Sequence, residues 1–216
     1  MMKNPISRFR PIVLLGLAAS LLAGCADTTM KRDWTAPGVG SIKFTKVLIL
    51  GVGVNRNFNR RMAEAAVQRQ ITKIPAVGGY ELLPGLDDIK DKEKVRQVVR
   101  DNQIDGLITL RLTSSSMNVT YGSSTALPME YATFSGYYGT VYDVGAYYAD
   151  DGGRNIYADK VMAIETNIYD AKTEKLIWSG LTQSTKSATN PGSVPDLITE
   201  VAKVVRARLT SQGLVP

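Results

Sequence analysis

The single thiol of the chain is Cys25, at the end of the stretch "LLAGC", and there is no histidine anywhere. A lone cysteine forms no internal disulfide, and without an imidazole beside it the Cys-His chemistry of thiol enzymes is unavailable. The same absences remove the commonest general base and the usual zinc ligand sets. Carboxylate-only catalysis needs just two acids at a suitable separation, yet no spacing among the 20 acids picks out such a pair. Asp143, Asp150 and Asp151 lie near glycines in "DVGAYYADDGGRN". They lack the twelve-residue spacing and terminal glutamate of a calcium loop, and read as a polar turn. The expectation is therefore a protein with no catalytic residue, no metal and no cofactor, in which Cys25 is a site of covalent attachment.

The residues before Cys25 support that. "MMKNPISRFR" carries Lys3, Arg8 and Arg10 with no acid, and "PIVLLGLAASL" is almost wholly apolar. A membrane-spanning helix needs about 20 apolar residues, so this run is too short to span and reads as a removed export signal. Leu22, Ala23, Gly24 and Cys25 resemble the bacterial lipobox. That resemblance implies cleavage between Gly24 and Cys25, a diacylglyceryl group on the thiol and an acylated new amino terminus. Several acyl chains hold firmly, because each buried methylene contributes about 0.8 kcal/mol. Residue 26 is alanine, and the aspartate that retains enterobacterial lipoproteins in the inner membrane stands one place late, at Asp27. The resemblance thus implies the outer membrane, with the domain facing the periplasm.

All 20 acids and all but three of the 26 basic residues follow Cys25, leaving a net charge of about +3. A balance that small gives no reason to invoke nucleic acid. Eight of the ten tyrosines fall between Asn118 and Tyr157, and no lysine or arginine occurs in the 42 residues between Arg111 and Arg154. Tyrosine and glycine offer rigid, amphipathic contact surface at low entropic cost. Tyr131, Tyr137, Tyr138, Tyr142, Tyr147 and Tyr148 are accordingly the candidate partner-binding residues, for a protein or cell-wall partner. A second reading takes the alternation in "YATFSGYYGTVYDVGAYY" as a weak membrane-hairpin signal with aromatic girdles, and a third takes the insert as an ordered surface loop with no binding role.

Two basic or glycine-rich features read more plainly. "LGVGVN" has Gly51 and Gly53 but Arg56 where a dinucleotide fingerprint needs its third glycine. Asn55, Arg56, Arg60 and Arg61 form either an anion site at a helix start or a solvated basic face, and the second is the expectation.

The elements that position these residues follow from periodicity. Residues 1–24 are the signal, 25–45 a lipid-anchored tether, and 46–216 one domain with an insert at 118–157. Extended, the tether would reach about 60 Å; the alternative is a partly docked tether pinned by Trp34. "KVLILGVGV", "YELLP" and "IDGLITLRL" read as strands, separated by a helix from Asn55 or Asn57 to about Ile74 and by the helix "DKEKVRQVVRDNQ", with Val95, Val98 and Val99 on one face. Val161–Tyr169 and Leu176–Ser184 flank "DAKTEK" as an antiparallel hairpin. "SVPDLITEVAKVVRARLTSQG" closes the chain as an amphipathic helix with Gly213 as C-terminal cap. The fold class is α/β: β-α-β-α-β, an insert, then a hairpin and a helix, making a mixed sheet covered by helices.

This order, with the lipobox and the turn "YDAKTEKLIWS", resembles periplasmic and outer-membrane lipoproteins whose domain is like the amino-terminal domain of TolB and the core of the curli secretion lipoprotein CsgG. Members often have glycine at the place of Glu174. The resemblance implies an envelope component that binds or assembles, with a homo-oligomeric secretion or pore subunit as the alternative.

Overall fold

The computed structural model describes residues 27–53, 57–114, 132–142, 160–186 and 194–216. Their six strands form one mixed sheet, ordered β1-β6-β5-β4-β2-β3. These are β1 (Asp27–Thr35), β2 (Val47–Gly51), β3 (Ala76–Gly78), β4 (Gly106–Ser114), β5 (Lys160–Asp170) and β6 (Leu176–Lys186). The helices are α1 (Asn57–Gln68), α2 (Gly79–Leu82), α3 (Leu86–Lys90), α4 (Lys92–Asp101), α5 (Phe134–Tyr142) and α6 (Val194–Ser211). β2 runs parallel to β3 and β4, whereas β4, β5, β6 and β1 pair antiparallel in turn. The expected mixed α/β sheet, the hairpin and the closing helix are all present.

Alternation in β2 divides the core in two. Leu48 and Leu50 point to one face, where Leu107, Val95 and Val99 of α4 and the rings of α5 join them. Ile49 points to the other, with Leu110, Ile164, Ile168 and Trp178 beneath Leu197, Val201, Val205 and Leu209 of α6, and Ala66 and Val67 of α1. A strand buried on both faces is a continuous apolar run, which is why "VLIL" carried so clear a signal. At the carboxyl end of α6, Leu214 N donates to Leu209 O at 2.9 Å and Gly213 N to Thr210 O at 3.0 Å, with Gly213 at φ 70°. Those two bonds are a Schellman cap.

Three elements differ from the sequence expectation. Asp27–Thr35 is an edge strand on β6, so the residues after Ala26 are docked and the long free tether is corrected. Its pattern is hidden by a bulge between Met30 and Arg32. Met30 and Trp34 would share a face in a regular strand, but the extra residue sends Trp34 to the α4–α5 side and Met30 to the α6 side. The bulge and the charged run Lys31, Arg32, Asp33 also blunt the exposed edge against pairing with another chain.

"YELLP" is not a strand. The third strand ends at Gly78 and the chain turns into α2, because Glu64 accepts from Tyr80 N at 2.6 Å and Glu81 from Gly78 N at 3.3 Å. A Cβ on Gly79 would stand 2.7 Å from Leu50 Cδ2, so only glycine lets this turn approach β2.

The third difference lies in the insert. Part of it is the helix α5, with Thr133 Oγ1 accepting from Gly136 N at 3.1 Å in its first turn. The membrane-hairpin reading is corrected for residues 134–142. Phe134, Tyr138 and Tyr142 are spaced by four, which satisfies a period of two and a helical turn equally.

Candidate functional site

Of the candidate partner-binding residues, Tyr137, Tyr138 and Tyr142 come together on α5, while Tyr131, Tyr147 and Tyr148 lie outside the described residues, as do Gly24, Cys25, Asp143, Asp150 and Asp151. Tyr137 and Tyr138 are 0% and 2% exposed. Their reading as contact surface is therefore corrected: they are packing residues. Phe134 and Tyr138 rings lie 4.7 Å apart, Tyr138 and Tyr142 5.1 Å, and Tyr137 and Tyr169 6.0 Å. Each is within the range in which aromatic pairs attract. Tyr138 Oη donates to Ile89 O at 2.5 Å, and Tyr142 Oη accepts from Gly53 N at 3.2 Å. Burial raises all three phenols; Tyr142 is pushed up to about 12 even though the Gly53 N–H opposes the shift. They stay neutral at physiological pH and serve as hydrogen-bonding core, not as acids.

Beneath Tyr137 the sheet is polar. Thr109 and Arg111 of β4 stand opposite Asn167 and Glu165 of β5, and all four are buried. Asn167 Nδ2 donates to Glu165 Oε1 at 2.7 Å. Buried polar groups of this kind persist only when satisfied, and the set fixes the register of the two strands under α5.

An ion cluster clamps α5 to the hairpin. Arg96 grips Glu174 through Nε at 2.7 Å and Nη2 at 3.0 Å, and its Nη1 meets Glu93 at 2.5 Å. Ser135 Oγ donates to Glu174 Oε2 at 2.5 Å and also meets Arg96. The Arg96 bond holds the Glu174 carboxyl below its ordinary range, helped by Ser135 and opposed by burial; Glu174 in turn raises Arg96. Glu174 has φ 57°, the left-handed conformation glycine takes most readily. The residue common in the resembling proteins at this turn is explained by its backbone, and the glutamate here by its carboxylate.

Of the residues named for an anion site near Gly51 and Gly53, Asn55 and Arg56 lie outside the described residues, and Arg60 and Arg61 are engaged elsewhere. Arg60 and Glu64 are 1% and 0% exposed and pair at 3.1 Å, so the solvated-face expectation is corrected for Arg60. Arg60 Nη1 donates to Gly85 O at 3.1 Å, and Nη2 donates to Leu83 O. Glu64 Oε1 accepts from Gly51 N at 2.8 Å, occupying the amide a phosphate would need. Burial raises the Glu64 carboxyl, against the Gly51 and Tyr80 amides and Arg60. Breaking such a pair leaves a buried charge without its partner, so its work is to fasten α1, β2 and α2. Arg61 instead lies over the Tyr80 ring at 5.2 Å. The (i, i+4) spacing of Arg60 and Glu64 was visible in the sequence; their burial was not.

Among the described residues there is no group of three metal-ligating side chains, and no helix long and apolar enough to cross a membrane. At the end of the sheet where β1 begins, Asp27, Thr185 and Val161 stand in one row across three strands. Lys160 pairs with Lys186 beside them, and Ser114 with Met162 one rung inward. The chain thus enters β1, leaves β4 and enters β5 at one end of the molecule.

The sequence matches no family model and no curated protein. Among solved structures it is similar to the PelC dodecamer of Paraburkholderia phytofirmans, at 9% identity and a TM-score of 0.42 over 82% of this chain and 94% of that one. A variant of the same protein gives 10% identity and a TM-score of 0.44 over 82% and 95%. Lipoprotein GNA1162 of Neisseria meningitidis gives 10% identity and a TM-score of 0.41 over 77% and 99%. Likeness at that distance does not carry function across.

Proposed function

We propose that this chain is a lipid-anchored, non-enzymatic component of the bacterial cell envelope, held by Cys25 at the outer membrane with its domain in the periplasm. The observation that carries the reading is "LAGC" behind a short basic-then-apolar leader, followed after a single residue, Ala26, by a folded strand. Cleavage before Cys25 would leave almost no slack between lipid and domain. The absence of histidine and of a second thiol supports a binding or assembly role over catalysis.

The carrying test is metabolic labelling with a palmitate analogue. Incorporation into the wild-type chain and its loss in Cys25→Ser, with the variant released from the membrane fraction, is the expected result. Release of wild type with unmodified Cys25 would overturn the reading.

A second reading, a subunit of an oligomeric secretion or pore assembly, is favoured by the shared end of β1, β4 and β5. β4 ends at Ser114 and β5 begins at Lys160 at the end of the sheet where β1 begins. Light scattering of the lipidated protein in mild detergent separates the two. A defined large oligomer supports the assembly subunit, and a monomer supports the single binding module.

A further inference from the structure

On the α6 side of the sheet the two covering helices do not close completely. A cavity of about 450 Å³ lies between α1, α6, the sheet and the segment before β2. Its floor is Ile108, Leu110 and Ile168, and its walls include Val67, Val201 and Val205. That is within the range of small-molecule sites, roughly 300–1,000 Å³, which are mostly apolar with a few placed polar groups. Two features say what kind of molecule would fit. Lys43, Lys73 and Arg206 line it and are exposed, and no aspartate or glutamate side chain does so. At the floor, Thr166 is 3% exposed and its Oγ1 has no hydrogen-bond partner. A buried hydroxyl left without a bond is costly, and Thr166 is among the residues that line the cavity.

The geometry points to a ligand site for an anionic amphiphile of the fatty-acid class, with its apolar chain over Ile108, Leu110 and Ile168, its carboxylate among Lys43, Lys73 and Arg206, and a polar group on the chain meeting Thr166. A hydroxylated acyl chain satisfies all three requirements. The apolar walls provide affinity by burying the methylenes of the chain. The cations choose the headgroup, and Thr166 discriminates among chains, because a site with an unpaired buried polar group disfavours the analogue that cannot pair with it. Nothing in this depends on lipidation of Cys25, which sits at a different place in the chain.

The test is displacement of a fluorescent fatty acid from the full chain held in an amphipathic polymer, since detergent would compete. Palmitate, 3-hydroxypalmitate and hexadecanol are the competitors. Expected are displacement by both acids, tighter binding of the hydroxylated one by about tenfold, and weaker displacement by the alcohol. Thr166→Val removes the difference between the two acids and keeps palmitate binding. Lys43→Glu with Lys73→Glu weakens both acids at least tenfold and leaves hexadecanol unchanged; both lysines are exposed, so folding is kept, as circular dichroism checks. Displacement by none of the three overturns the proposal. So does equal binding of acid and alcohol, or loss of the probe on raising protein concentration, which would assign the cavity to a second copy of the chain.

Discussion

Among the described residues two hold left-handed backbone without being glycine, and they do so for different reasons. Gln103, at φ 54°, ends α4: Ile104 N donates to Val99 O at 3.0 Å and Gln103 N to Arg100 O at 3.2 Å, a Schellman cap on a residue with a Cβ. Since the left-handed region costs an L-residue roughly 1–2 kcal/mol, Gln103→Gly is expected to raise stability by about 1 kcal/mol in urea unfolding. Glu174, at φ 57°, gains its bonds to Arg96 and Ser135 in return. Glu174→Ala keeps the strain and removes the carboxylate, so it should destabilise by about 1 kcal/mol at neutral pH; Glu174→Gly, which relieves the strain too, should be nearly neutral. The Glu174 carboxyl is depressed in the fold, so the stability it adds is fully present above its ordinary value of 4.5 and is lost as pH falls through the lowered folded value. The gap between wild type and Glu174→Ala, measured by urea unfolding across pH 2.5 to 7, should therefore close at the acid end.

At the scale of elements, what the sequence made legible was whatever had an unbroken period. β2, the β5–β6 hairpin, α4 and α6 fall where their apolar residues place them, because each buries a single continuous stripe or run. β1 escaped because its bulge moves Trp34 to the face opposite Met30, so its inward residues never alternate as a strand's should. α5 escaped because a spacing of four is even, and aromatic residues at Phe134, Tyr138 and Tyr142 serve a strand and a helix alike until burial decides. The buried Arg60–Glu64 pair was legible as a spacing but not as an interior, since the groups that desolvate it come from β2, α2 and the turn at Gly85. β1 carries its own prediction. Trp34 packs on the α4–α5 core, while Asp33 accepts from Arg208 at 2.9 Å and Gln212 at 2.6 Å of α6 and the turn after it. Trp34→Ala should cost about 2 kcal/mol, and hydrogen exchange should show faster amides confined to β1 and β6. Unchanged protection there would mean that the tryptophan does not hold the strand.

For the molecule as a whole, the proposed anchoring at Cys25 would leave one residue, Ala26, between the acylated cysteine and β1. A flexible insertion of ten residues between Ala26 and Asp27 should lift the domain by about 17 Å, the expected span of such a linker. Energy transfer from a label on the exposed face of α6 to dye in the bilayer reads that distance. A domain already far from the membrane in the wild type would show little change, and would mean that Cys25 does not anchor it.

The docking of Asp27–Thr35 against β6 has a mechanical side. Under the anchoring proposed at Cys25, a pull on the lipid would reach the first residue of an edge strand and act along that strand's axis. Bonds between antiparallel strands lie perpendicular to that axis, so tension loads every rung from Asp27–Thr185 to Thr35–Trp178 in shear at once. Parting them one by one would require a sideways pull. Force on the anchor is thus passed into the sheet and, through Asp33 and Arg208, into α6, as a rope is held by a cleat and not by a knot at its tip.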